Sequence, residues 1–180
     1  MALAGVDRAR DIQVMMIPRL RLVLLTAAML SLLILGTAVA SERWGGLVPC
    51  ALCLVERWPW RLAIGFGLIG VLLPQPLARG AMLLVLLSFL AGIGAGGTHV
   101  GVEAGWWPSP LPECAAPSFG GGSVSERLAR MPDRPSKPCD APTYLVPGLP
   151  VSMAMMNLLA SLLLAGWMGE FLWTTRGGNK

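Results

Sequence analysis

Residues 22–40 read LVLLTAAMLSLLILGTAVA, nineteen positions without a charge. As a helix rising about 1.5 Å per residue they reach roughly 28 Å, close to the hydrocarbon thickness of a bilayer. A run that is apolar on every side has no face for water, so it predicts a membrane span. Three more spans follow outward from it: 58–73, 81–99 and 146–173. The second is short and relies on Trp58, Trp60 and a snorkelling Arg61 at the interface. The fourth carries Asn157 inside and Glu170 near its end. The expected fold is an all-α membrane protein, one domain over residues 1–180, built as a four-helix bundle. Composition agrees: 54% of the 180 residues are hydrophobic and only 13% charged, below the charged share of ordinary soluble domains. No phosphate-cradling glycine loop and no basic nucleic-acid patch is present, so no nucleic-acid partner is expected.

Charges orient the spans. Arg8, Arg10, Arg19 and Arg21 precede the first span, Arg79 lies in the turn Pro74–Gly80, and Arg176 and Lys180 follow the last. The positive-inside rule places these three segments, and with them both termini, in the cytoplasm. The opposite side then holds segments 41–57 and 103–145, although the latter also carries Arg127, Arg130, Arg134 and Lys137. Ala38-Val39-Ala40 has the small-residue pattern of a signal cleavage site, but the apolar run is longer than a usual signal core, so an uncleaved first helix is expected.

All four cysteines, Cys50, Cys53, Cys114 and Cys139, fall on the outer side, which fits disulfides in an oxidising compartment. Cys50-Ala51-Leu52-Cys53 has the spacing of a redox-active pair at a membrane surface. Arg57 lies one helical turn beyond Cys53, where a guanidinium favours the thiolate. The segment 103–145 contains eight prolines and the run Gly120-Gly121-Gly122, so a long irregular loop is expected, and loops of that length are commonly functional or disordered. Inside it, Ser123-Val124-Ser125-Glu126 has capping-box spacing, and Val124, Leu128 and Met131 recur at helical intervals. A short surface helix and a linker with chance periodicity are both compatible with this. A Cys114–Cys139 bridge would close a ring of 26 residues, worth about 3–4 kcal/mol if the loop were otherwise unstructured. It would serve as a staple or, on a mobile exposed loop beside a second dithiol, as an exchange partner. Exchange is the favoured reading.

Pro49-Cys50-Ala51-Leu52-Cys53-Leu54-Val55-Glu56-Arg57 closely resembles the P-C-x-x-C-x-x-E-R signature of the disulfide bond formation protein B (DsbB) family. Trp107-Pro108-Ser109-Pro110 before Cys114 resembles that family's approach to its third cysteine. The resemblance covers nearly the whole chain. It implies a bacterial inner-membrane thiol:quinone oxidoreductase with periplasmic cysteines. Cys114, paired with Cys139, would be attacked by a reduced periplasmic thiol oxidase of thioredoxin fold (DsbA-like). Electrons would pass to Cys50–Cys53 and on to the membrane quinone pool, ubiquinone or menaquinone. Cys53 would face the quinone, and Arg57 would polarise it. His99, the only histidine, matches the family's histidine position loosely and is a weaker quinone candidate, as is Glu103. Glu56 would pair with Arg57 or lie in water. Met153, Met155 and Met156 would pack or soften a quinone pocket wall.

Other readings are a paralogue dedicated to one partner (DsbI-like), a disulfide-stapled scaffold, and a member of the vitamin K epoxide reductase group, in which the CxxC comes late in the chain. A zinc protein built on four cysteines and His99 is disfavoured, because Cys114 and Cys139 are 25 apart and form no knuckle. No metal is expected.

Overall fold

A computed structural model describes residues 2–114, 123–129, 137–146 and 148–177. Its elements are α1 (Ala2–Arg43), α2 (Ala51–Val55), α3 (Arg57–Leu72), α4 (Gln75–Glu103), a 3-10 turn at Pro112–Cys114, α5 (Val124–Ala129) and α6 (Met153–Gly177). Helices α1 and α4 flank α3, and α6 packs on the other side of α4.

Among the described residues, three helices are long and apolar enough to cross a membrane: Pro18–Arg43, Gln75–Glu103 and Met153–Thr175. The expected second span is α3, whose 16 residues rise only about 24 Å. The boundaries differ from the expected ones for local reasons. Helix α1 runs through to Arg43, so part of segment 41–57 is helical, as is α2. The expected turn Pro74–Gly80 contracts to Leu73–Pro74, because Pro76 is tolerated in the first turn of α4. Helix α6 starts at Met153 rather than Val146, since Pro147, Gly148 and Pro150 intervene and Gly148 takes φ +87°. Of the two readings left open after Ser123, the short helix is the one present, as α5. Its capping box is formed in both directions: Ser123 N–H donates to Glu126 Oε2 at 3.0 Å, and Glu126 N–H donates to Ser123 Oγ at 3.4 Å. Arg130, Met131, Arg134, Gly120–Gly122 and Lys180 lie outside the described residues.

The outward faces are apolar: Leu33, Leu87 and Leu163 are more than half exposed. Such surfaces suit lipid rather than water. In lipid, apolar contact does not itself favour one helix pairing over another, so close backbone approach must do so. Gly92 and Gly96 provide it between α4 and α6. A Cβ at Gly92 would stand 2.7 Å from Ser161 Oγ, and one at Gly96 would stand 3.2 Å from Leu158 Cα. The main core runs through the junctions of α1, α3, α4 and α6, around Leu24, Ala27, Trp60, Met82, Val85, Phe89 and Met168. Trp60 and Phe89 rings meet at 5.8 Å between centroids. A second buried cluster, Cys50, Leu52, Val102, Cys114 and Cys139, sits at the end of the bundle where α2 meets the last turn of α4.

Candidate functional site

The site is built on the break between α1 and α3. Cys50 has extended backbone (φ −85°, ψ 168°) and begins α2, where its Sγ accepts the Cys53 N–H at 3.1 Å. The chain passes through Glu56, which is helical (φ −61°, ψ −18°), directly into α3. Arg57 therefore starts α3 one turn beyond Cys53. Cys50 and Cys53 are disulfide-bonded, as are Cys114 and Cys139, with Cα–Cα distances of 5.1 and 5.0 Å.

The second disulfide does not lie on an exposed loop, contrary to the sequence expectation. Cys114 is 5% and Cys139 1% exposed, and both pack in the cluster that contains Cys50. Lys137 pairs with Cys50 in a parallel bridge, which draws the Cys139 segment against the CxxC turn. Cys139 N–H donates to the Cys114 carbonyl at 3.4 Å, and Lys137 Nζ ties the segment to Pro142 O and Thr143 Oγ1 at 2.9 Å each. Two apolar sulfur bridges gain more from each other's cover than from water, so Cys114 and the segment 137–139 pack inward.

Glu56 is buried and does not pair with Arg57. Its Oε1 lies 2.8 Å from His99 Nδ1. Burial raises the Glu56 pKa above the ordinary value, while the hydrogen bond and charge of His99 pull it back down. The other ring nitrogen of His99, Nε2, stands 3.5 Å from Cys50 Sγ and 3.9 Å from Glu103 Oε1. Ser152 Oγ donates to the second Glu103 oxygen at 2.5 Å, which ties α6 to the end of α4. Carboxylate, imidazole and sulfur thus line up across α3, α4 and the CxxC turn. Arg57 instead donates to Glu42 Oε2, at the end of α1, at 2.6 Å. Glu42 is a site residue that was not expected from the sequence. Its signal was a lone acid directly after an apolar run, one that needs a cation where it meets the bundle.

A cavity of about 260 Å³ opens between α1, α3 and α6. Cys53, Glu56 and Arg57 line its polar end, and Ile34, Leu35 and Ala160 are among its apolar walls. Met153 and Met156 line it as well. His99 does not; it faces Cys50 from behind the CxxC turn. Asn157 also lines the cavity. Its Oδ1 accepts the Trp60 indole N–H at 2.6 Å, and its buried Nδ2 has no partner among the described residues. An amide N–H left unpaired at membrane depth is costly, so it points to an acceptor that occupies the cavity. Asn157 was visible in the sequence only as a polar interruption of a span. Trp58 and Trp106, well exposed, fit an interfacial belt.

A helical protein with spans long enough for a membrane, carrying two disulfides packed together beside a cavity, defines a membrane thiol–disulfide redox protein. The chain belongs to the DsbB family: residues 20–169 match the family described as disulfide bond formation protein DsbB. It is 29% identical over 154 residues to an uncharacterized protein of Rickettsia prowazekii (strain Madrid E), which covers 85% of this chain and 86% of that one. It is 31% identical over 84 residues to disulfide bond formation protein B of Herminiimonas arsenicoxydans, which covers 47% of this chain and 53% of that one. No solved structure matches it. Family membership makes it an oxidoreductase of disulfide-bond formation.

Proposed function

We propose that this protein reoxidises a periplasmic DsbA-like thiol oxidase and delivers the two electrons to a membrane quinone, ubiquinone or menaquinone. In this reading α3 also spans the membrane, as the second of four spans, both termini are cytoplasmic, and the cysteines face the periplasm of a bacterial inner membrane. One observation carries it. The two disulfides share one buried cluster, and the inner one opens on a cavity that holds a cation and an orphaned donor.

The partner thiolate attacks Cys114, forms a mixed disulfide and releases the Cys139 thiolate. Cys139 then attacks Cys50, which its segment already touches through Lys137. The Cys50–Cys53 bond breaks as the Cys139–Cys50 bond forms, so the leaving group is the Cys53 thiolate. That thiolate emerges on the cavity wall beside Arg57, whose charge stabilises it. The partner's second thiolate resolves the mixed disulfide at Cys114. Cys114 returns through exchange with the Cys139–Cys50 bridge, which leaves Cys50 and Cys53 reduced and Cys114–Cys139 closed. A quinone in the cavity supplies a two-electron sink, matching the two electrons released as Cys50–Cys53 closes again. During that closure His99 Nε2 holds the Cys50 proton, with its own Nδ1–H fixed by Glu56. Arg57 and the Asn157 amide are the donors placed to hold quinone oxygens. Because Cys114 is buried, partner docking must first expose its sulfur. His99 acts on Cys50 in this scheme rather than on the quinone.

The direct test is anaerobic mixing of purified protein with reduced partner and each quinone, following quinone absorbance. Quinone reduction at one per disulfide is expected, and no reduction with either quinone sinks the proposal. Alkylation of reduced cysteines from outside intact spheroplasts checks the orientation. Labelling that needs permeabilised membranes would reverse it.

Asn157→Ala is expected to raise the quinone KM about three- to tenfold, the loss of one hydrogen bond of about 1 kcal/mol. A KM unchanged in Asn157→Ala means the amide binds no quinone oxygen.

A further inference from the structure

The CxxC turn also meets the requirements of a metal centre in one redox state only. Cys50 Sγ, Cys53 Sγ and His99 Nε2 all lie within 4.8 Å of one another. The Cys50 Sγ–His99 Nε2 separation is 3.5 Å. Zinc bonds of about 2.3 Å to sulfur and 2.0–2.1 Å to nitrogen, at tetrahedral angles, set sulfur and nitrogen ligands about 3.5 Å apart. The imidazole is therefore already at ligand distance from the first sulfur. Its far nitrogen, Nδ1, faces the Glu56 carboxylate at 2.8 Å. This carboxylate–histidine arrangement fixes the tautomer with Nε2 free to ligate and makes that nitrogen a better donor. The fourth position is open to water or to Glu103 Oε1, which is 3.9 Å from Nε2. The two sulfurs come from the α2 turn and the imidazole nitrogen from α4, and Cys50 and His99 are buried to 3% and 2% exposure.

We propose that the reduced Cys50–Cys53 pair and His99 bind a soft divalent cation such as zinc, and that the site exists only in the dithiol state. In the disulfide each sulfur's bonding electrons are shared with the other, and neither is a thiolate ligand. After reduction, a divalent cation displaces two thiol protons and is held by two thiolates and a neutral imidazole. No electrons move, and the buried charges cancel. This goes beyond the quinone reading and does not depend on it. The fold supplies the ligand that the sequence spacing of Cys114 and Cys139 could not. A metal held there would occupy the sulfurs that must close again, and so would hold the protein in its reduced form.

The test uses the full-length chain in detergent with Cys114→Ser and Cys139→Ser, so that only the inner pair is present. It is reduced with a phosphine, freed of reductant anaerobically and titrated with Co²⁺. The expected result is one Co²⁺ per chain with a thiolate-to-cobalt charge-transfer band, displaced by Zn²⁺, and no such band in the oxidised protein. His99→Ala should weaken binding at least tenfold. Glu56→Gln, which keeps size and shape, should weaken it about 10- to 100-fold and stands in if the alanine variant does not fold. The proposal is overturned by no charge-transfer band in the reduced protein, by equal binding in the oxidised protein, or by affinity indifferent to His99 and Glu56. Quinone reduction is read separately, so a failure here leaves that function standing.

Discussion

Cys53→Ser is expected to abolish quinone reduction, whether electrons come from the partner protein or from a small dithiol. Cys53 is the cysteine that lines the cavity. Cys50 is buried behind it against His99, and Cys114 and Cys139 are covered by the same cluster. With serine at 53 the inner disulfide cannot form, and no thiolate reaches the cavity. Cys114→Ser separates the two halves of the path. It should block oxidation of the partner yet leave dithiothreitol-driven quinone reduction at least partly intact, because the inner pair and its cavity are untouched. Stopped-flow quinone absorbance with each donor reads both outcomes. Quinone reduction at the normal rate in Cys53→Ser would show that electrons leave by another residue.

The second large effect is expected at Arg57. Its guanidinium lines the cavity with Cys53 and is anchored to Glu42 at 2.6 Å. One cation thus serves the thiolate and any negative charge that develops on a bound acceptor. Arg57→Ala is expected to lower kcat/KM for quinone at least about tenfold, roughly 1.4 kcal/mol. The loss is compounded because Glu42 is left without its cation at the cavity rim. Arg57→Lys should lose less, since it keeps the charge but not the planar fork that holds Glu42 and still faces the cavity. Exchange between Cys114 and the partner should change little. Unaltered quinone kinetics in folded Arg57→Ala protein would reduce Arg57 to a membrane-edge anchor paired with Glu42.

The CxxC pair and the position of Arg57 were legible in the sequence because both are local. CxxC closes within one helical turn, and Arg57 follows one turn later in nearly continuous helix. The capping box at Ser123 was legible for the same reason. The partners of the charged groups were not. Glu56 finds His99 across 43 positions rather than its neighbour Arg57, and Arg57 finds Glu42 across 15. Asn157 finds Trp60 across 97. The burial of Cys114 and Cys139 also escaped the sequence, since a proline-rich segment shows where regular structure stops but not where the chain rests.

By itself, then, the sequence determined that this is a helical membrane protein, where its long helices lie and which four sulfurs it can pair, because length, apolarity and short spacing are properties of the chain. Only the tertiary structure decided which nitrogen faces Cys50, which carboxylate holds Arg57, and that Asn157 lines the cavity with an unsatisfied amide. Helices apolar on every side carry no periodicity that marks an inward face. Their rotation and contacts are set by where small residues such as Gly92 and Gly96 let neighbouring backbones meet.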